Sequence, residues 1–186
     1  MSLMKIFNQE GGDALFSSSS SEEISEKLKE LGVRFERWEA GADISDSASQ
    51  DEILNAYKHS IDALKKEYGF QSADVVNLTP DHPDRKAFRE KFLSEHTHSD
   101  FEVRFFVDGS GLFYIHNQDS VYTVLCEKGD LISVPADVPH WFDMGEKPFF
   151  KCIRLFTTPE GWVANFTGSD IAQKHPDFES FLAQKE

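Results

Sequence analysis

The sequence predicts a mainly β protein, an antiparallel barrel or sandwich with helices gathered before it. After residue 95, short runs rich in Val, Ile, Phe and Tyr alternate with turn signals at 108–111, 117–120, 127–130 and 145–148. That spacing suits five or six antiparallel strands. Before residue 95, apolar residues recur three or four apart, the period of an amphipathic helix. The chain has 186 residues, 39% of them hydrophobic, with seventeen Phe and three Trp. This is enough to bury one core without disulfide or metal staples.

Taken in order, the segments read as follows. Met4 is a second candidate start, which would make residues 1–3 a leader. Ser20 and Glu23 have capping-box spacing, Ile24, Leu28 and Leu31 follow on one helical face, and Gly32 stops the helix. Residues 33–38, V-R-F-E-R-W, alternate apolar and charged as a strand does. Residues 40–49 form a loop. Ser49 and Glu52 repeat the capping-box spacing, and Ile53, Tyr57, Ile61, Leu64 and Tyr68 mark one longer helix closed by Gly69. Residues 74–78 suit a short strand and 80–83 a turn, with Pro83 at the first position of a third helix carrying Phe88 and Phe92. The tail from Gly168 reads as a weak helix and a frayed end. The whole is expected to be one domain: a helix-rich part over 1–94, a β-barrel core over 95–167 and a tail over 168–186.

Composition narrows the partners. Thirty-three acidic residues against nineteen basic ones leave a net charge of -14, which repels nucleic acid and anionic membranes. No run has the length of a membrane span, and the start lacks a signal peptide's apolar stretch. Cys126 and Cys152 sit in separate apolar runs without any C-x-x-C, so both read as reduced core thiols. The expected location is cytoplasmic, and the expected state a monomer.

The chemistry gathers in two strings, E-H-T-H-S-D-F-E-V-R and P-A-D-V-P-H-W-F-D-M. His96 and His98, two apart on an extended chain, point the same way, and without a bulge Glu102, Arg104 and Phe106 share that side. His140 arrives later, stiffened by Pro135 and Pro139. A lone histidine in a β-rich segment is more commonly a core or surface residue. Three imidazoles and a carboxylate together can hold a divalent transition metal with positions left for substrate or water. The spacing H-x-H-x3-E-x6-G from His96 to Gly109, then G-x5-P-x4-H from Gly129 to His140, resembles the two halves of the cupin barrel motif. Asp137 stands where a glycine is common in that motif, and Met144 where an asparagine is common. The remaining histidines, His59, His82, His116 and His175, read as structural or solvated.

Within the cupins the chain resembles the acireductone dioxygenases of methionine salvage, closest to the bacterial branch. The strings E-H-T-H, E-V-R-F-F-V, L-C-E-K-G-D-L-I-S-V-P, P-H-W-F-D-M-G and T-P-E-G-W carry the resemblance. In the N-terminal half G-V-R-F-E-R-W, E-Y-G-F and F-R-E-K-F-L extend it over nearly the whole chain. The resemblance implies a cupin, double-stranded β-helix barrel and one Fe²⁺ or Ni²⁺ per chain on His96, His98, Glu102 and His140. It implies cleavage of 1,2-dihydroxy-5-(methylthio)pent-1-en-3-one by O₂. The iron form would give 4-methylthio-2-oxobutanoate and formate; the nickel form would give 3-methylthiopropionate, formate and CO. It also implies roles for Glu95, Phe101 and Arg104 in metal incorporation, conformational coupling and activity. Arg104 doubles as a substrate contact with Phe92, Phe142 and Trp162, whose rings suit a thioether tail. Two rivals stay open at this point: another cupin metalloenzyme, such as an isomerase or a different dioxygenase, and a cupin that binds a ligand without catalysis.

Overall fold

In the computed structural model, which describes residues 1–40, 42–158 and 162–184, one long strand is shared by two antiparallel sheets. In chain order the elements are β1 (Leu3–Asn8), β2 (Gly11–Ser18), α1 (Ser21–Lys29), β3 (Arg34–Arg37), α2 (Gln50–Ala56), α3 (Lys58–Tyr68), β4 (Ser72–Leu78) and α4 (Arg85–Phe92). There follow β5 (His96–Thr97), β6 (Glu102–Asn117), β7 (Ser120–Glu127), β8 (Asp130–Val134), β9 (His140–Asp143), β10 (Phe150–Phe156) and β11 (Asn165–Phe166). A 3₁₀ turn (Ile171–Lys174) and α5 (Phe178–Ala183) end the described chain. The first sheet runs β11-β5-β9-β6-β7-β1-β2; the second runs β3-β8-β6-β10-β4. This is the expected mainly β, barrel-like architecture.

The shared strand corrects the expected turn at 108–111. Residues 102–105 of β6 pair with β8, and its first half pairs with β10. Its second half pairs with β7 and β9. Between the halves the strand bends without reversing: the register against β10 shifts at Lys151/Cys152, and Gly109 takes φ +73°. A D-G-S-G string marks a hairpin or a bulge equally well, and only the neighbouring strands decide which. Gly109 is required there for a second reason. A Cβ on it would lie 2.0 Å from the Phe149 carbonyl oxygen.

Alternation along β6 sorts the core. Phe106 and Phe113 point into the barrel with Val124, Cys126, Ile132, Phe142 and Cys152. Val103, Phe105 and Val107 point outward, where Ile53, Tyr57, Ile61 and Leu64 of the helical segment cover them. Each fully buried ring or aliphatic chain contributes about 1.5–3 kcal/mol relative to exposure, so both faces of this strand are anchored. Cys126 and Cys152 are free and buried; burial pushes both thiols up, Cys152 to about 12. Among the described residues no helix is long and apolar enough to cross a membrane.

Several sequence expectations need adjustment. The single helix expected over 49–69 is two, broken at Tyr57 (φ −106°, ψ 13°). Ala56 and Tyr57 are both buried, and consecutive residues of a straight helix point about 100° apart. The break lets both face the sheet, with the Tyr57 ring 4.5 Å from that of Phe105. The Ser49–Glu52 capping box forms in full. Ser20 caps α1, but the Glu23 carboxylate accepts from the Ser18 hydroxyl rather than from Ser20. Pro83 lies ahead of Asp84, which is the residue preceding α4, so it is not the first helical residue.

The ends of the chain are also built in. β1 and β2 escaped the sequence reading because β1 is buried on both faces and β2 is a mostly exposed, glycine-led edge. Residues 2 and 3 are part of the fold: Leu3 opens β1, and the buried Ser2 hydroxyl donates to Asp130. The tail is packed rather than frayed through Gln184, with Ile171 and Phe181 buried against Leu112, Tyr114 and Trp141. The last two residues of the expected frayed end lie outside the described residues.

Gly109→Ala is expected to lower stability by at least about 2 kcal/mol, from φ strain and a backbone clash together. A thermal melt should fall by roughly 5 °C or more. A melt within a degree of the parent would remove Gly109 from the list of required positions.

Candidate metal centre

The four candidate ligands come from the short strands β5 and β9, the start of the long strand β6 and the loop between β5 and β6. His96 on β5 pairs directly with His140, the first residue of β9. His98 lies just past β5, and Glu102 opens β6. Their candidate donor atoms all lie within 4.8 Å of one another, and all four residues are buried. The imidazole centroids stand 4.6–5.0 Å apart.

Backbone carbonyls aim the imidazoles. His96 Nδ1 donates to Ser94 O at 2.7 Å, His98 Nδ1 to Val163 O at 2.9 Å and His140 Nδ1 to Val138 O at 2.8 Å. A carbonyl oxygen only accepts, so in each neutral ring the proton sits on Nδ1 and Nε2 is left as a lone pair. The Nε2 atoms of His98 and His140 lie 2.9 and 3.0 Å from Glu102 Oε2. Two donors bound to one ion at about 2.1 Å and at right angles sit about 3.0 Å apart, so the donor set fits a single transition-metal ion.

Glu102 is the hub. Its Oε2 faces the two imidazoles while its Oε1 accepts from Arg104 Nε at 2.9 Å. Burial would raise its carboxyl, yet the Arg104 charge and the histidine bonds overcome that and hold it well below the usual carboxylate range. Burial draws His96 down to about 4. Burial pulls His98 down as well, but its bond to Glu102 and the carboxylate charge outweigh this and raise it. The site thus gathers a buried carboxylate and imidazole Nε2 atoms at one point, and a divalent cation would take the place of the protons those nitrogens share with Glu102.

Arg104 is inward-facing and 4% exposed, not an external salt bridge. Its guanidinium carbon lies over the rings of Phe142 (4.6 Å), Trp162 (5.4 Å), Phe92 (5.6 Å) and Phe113 (5.8 Å). The three aromatics expected around a substrate thus surround Arg104; Phe113 joins them and was missed, its inward side being fixed only by the bend at Gly109.

The expected continuous strand from His96 to Phe106 is interrupted. β5 has two residues, and the loop over 98–101 leaves the sheet. Asp100 secures that loop, accepting from the Phe101 N–H at 2.7 Å and from the backbone (3.1 Å) and hydroxyl of Thr157. Asp137 also braces it, donating its N–H to His98 O at 2.8 Å from φ +63°. That left-handed φ accounts for the glycine common at this position, and Asp tolerates it better than most residues. Glu95 and Phe101 stand beside the ligand set rather than in it. The Glu95 carboxylate accepts from Thr167 Oγ1 at 2.8 Å and bonds His116 at 2.6 Å, which gives His116 a bracing role. The Phe101 ring packs on Tyr68 at 5.3 Å, while its carbonyl accepts from Trp162 Nε1 at 3.0 Å. Pro159, Glu160 and Gly161 of the T-P-E-G-W string lie outside the described residues.

Residues 4–164 match the model of the ARD/ARD' family. The acireductone dioxygenase of Aquifex aeolicus (strain VF5) is 58% identical over 182 residues, covering 98% of this chain and 99% of that one. The acireductone dioxygenase of Methylococcus capsulatus is 55% identical over 182 residues and 98% of each chain. Among solved structures, an acireductone dioxygenase from Bacillus anthracis with a cadmium ion in its active centre superposes with a TM-score of 0.78 at 30% identity, covering 89% of this chain and 98% of that one. A shared motif, a shared barrel and near full-length identity above one half leave one assignment: the chain belongs to the ARD/ARD' family.

Proposed function

We propose that the chain is a metal-dependent acireductone dioxygenase that cleaves 1,2-dihydroxy-5-(methylthio)pent-1-en-3-one with O₂. Full-length likeness to enzymes of that name supports this reading. The single structural observation that carries it is the division of Glu102 between the histidine cluster and Arg104. A bound divalent ion would supply Lewis acidity to the substrate oxygens and a route for electrons toward O₂.

The chain's own groups do the rest. A guanidinium is a poor proton donor, so Arg104 acts as a fixed cation that favours the deprotonated enediol and orients it beside the ligands. Glu102 holds that guanidinium in place through Nε. The rings of Phe92, Phe113, Phe142 and Trp162 exclude water around it, which strengthens its field at the substrate anion. The three backbone carbonyls keep the imidazoles from turning away. A purely ligand-binding cupin would have no need of a buried guanidinium bonded to a ligand carboxylate. The same reading has the chain acting in the cytoplasm as a monomer, with its two thiols reduced.

Three outcomes follow from these roles. His96→Ala and His98→Ala should each lose most of about one equivalent of metal while keeping far-UV circular dichroism, since each removes one donor of four. Elemental analysis of the purified variants checks this, and full occupancy in both would rule the ligand set out.

Protein loaded with Fe²⁺ should yield 4-methylthio-2-oxobutanoate and formate, and protein loaded with Ni²⁺ should yield 3-methylthiopropionate, formate and CO. An N₃O donor set accepts either ion. Product analysis by NMR and CO trapping decides it; one product set from both forms would end the metal-switch reading for this chain.

Arg104→Ala should keep metal but lose about 10²-fold or more in turnover, as removal of one preorganised charged group does. Arg104→Lys should recover part of the loss, keeping the charge without the fork. Wild-type turnover in the Ala variant, measured beside its metal content and melting temperature, would refute the role.

A further inference from the structure

We propose that a cavity beside Arg104 receives the acireductone's side chain, and that Val76 and Met144 set how long that side chain can be. The inference rests on the dioxygenase reading above. The cavity encloses about 290 Å³, close to the lower end of small-molecule pockets at roughly 300 Å³. Arg104 and Phe92 form part of its wall, so it begins where the proposed partner of the enediolate ends. Larger hollows of about 520 Å³ beside Arg89 and about 420 Å³ beside Ile44 touch none of the ligands and none of the rings around Arg104.

Asn77, His82 and Lys91 line part of the cavity, and sheet register explains the apolar remainder of its wall beyond Arg104. Arg104 pairs with Arg154 of β10, and Arg154 with Asp74 of β4. Two residues along, Phe106 pairs with Cys152 and Cys152 with Val76; further on, Phe150 pairs with Leu78. Val76, Leu78 and Phe150 therefore share the inward face with Arg104. Met144, just past β9, closes the cavity among them. Leu78, Met144 and Phe150 are 4%, 2% and 3% exposed. Arg154 also reaches the cavity, but two bonds to Asp74 at 2.8 and 2.6 Å balance its charge. A short, uncharged, flexible chain attached to an anionic head suits this arrangement: head at Arg104, tail along β4.

Val76 and Met144 differ in what they impose. Val76 is half-buried and stiff at χ1, so a larger side chain there shortens the cavity. Met144 is unbranched and adaptable, and its thioether packs well against sulfur-bearing or aliphatic tails. An asparagine, common at this position in the cupin motif, would instead place an amide in the apolar wall and penalise such a tail.

The test is kcat/KM over a homologous series of straight-chain acireductones, measured on metal-loaded wild type, Val76→Phe, Val76→Leu and Met144→Ala. One methylene more or less in an apolar pocket changes kcat/KM by about 10-fold or more. Val76→Phe, and Val76→Leu more weakly, should lower the long-to-short ratio by about that factor; Met144→Ala should raise it. The ratio is taken within one preparation, so loss of folded enzyme cancels. Should wild type turn over the series while no variant moves the ratio beyond about twofold, the tail lies elsewhere and the inference is overturned. Should wild type consume no O₂ with any member, the dioxygenase reading itself fails.

Discussion

A buried carboxylate shared between two kinds of cation site is the constraint on which the rest of the structure depends. Glu102 is 3% exposed and carries a permanent negative charge inside an otherwise aromatic barrel. Burying such a charge alone is costly, and it persists because both oxygens are occupied, one by imidazoles and the other by Arg104. Arg104 in turn is a buried cation, tolerable only with that carboxylate on one side and four rings around it. Removing either partner would leave the other charge unpaired. The barrel is therefore committed to a polar centre that an apolar core would fill more cheaply, and such a commitment is what a site for chemistry requires.

The scaffold answers this constraint first with backbone supports. Each ligand imidazole leans on a main-chain carbonyl from a different segment: Ser94 before β5, Val138 before β9 and Val163 near β11. Pairing of β5 with both β9 and β11 fixes where those segments lie. Asp100, Asp137 and the Glu95–His116–Thr167 group hold the loop ends from outside. A metal ligand positioned by strand pairing moves little without unzipping a sheet, so the precision of the centre comes from the most rigid part of the fold.

Reactivity and selectivity divide between different faces of this scaffold. In the proposed reaction the candidate ligands and Arg104 decide what can be deprotonated and held near a metal. The inward face of β4 and β10, with Met144, lines the cavity proposed to take what extends beyond it. The two regions meet at Arg104, which is bonded to Glu102 on one side and lines the cavity on the other.

Much of this was legible in the sequence. The ligand spacing and the turn-punctuated apolar runs after residue 95 are local patterns, written by the two-residue period of a strand. They were enough for an antiparallel barrel or sandwich and for the inward parity of Glu102, Arg104 and Phe106, while the four candidate ligands that cluster in the fold came from the motif spacing and the family resemblance. The caps at Ser20 and Ser49 were equally local, because a side chain meeting an amide three residues on needs no tertiary context. Other features depended on distant neighbours. Whether D-G-S-G at 108–111 turns the chain or bends it was settled by strands as much as 43 residues away, where Lys151 pairs with Asp108. β1 was hidden because burial on both faces erases alternation. The break at Tyr57 answers to the Phe105 ring. No sequence signal marks Ser94, Val138 and Val163 as supports, since a carbonyl is common to every residue; only the folded chain selects which ones face an imidazole.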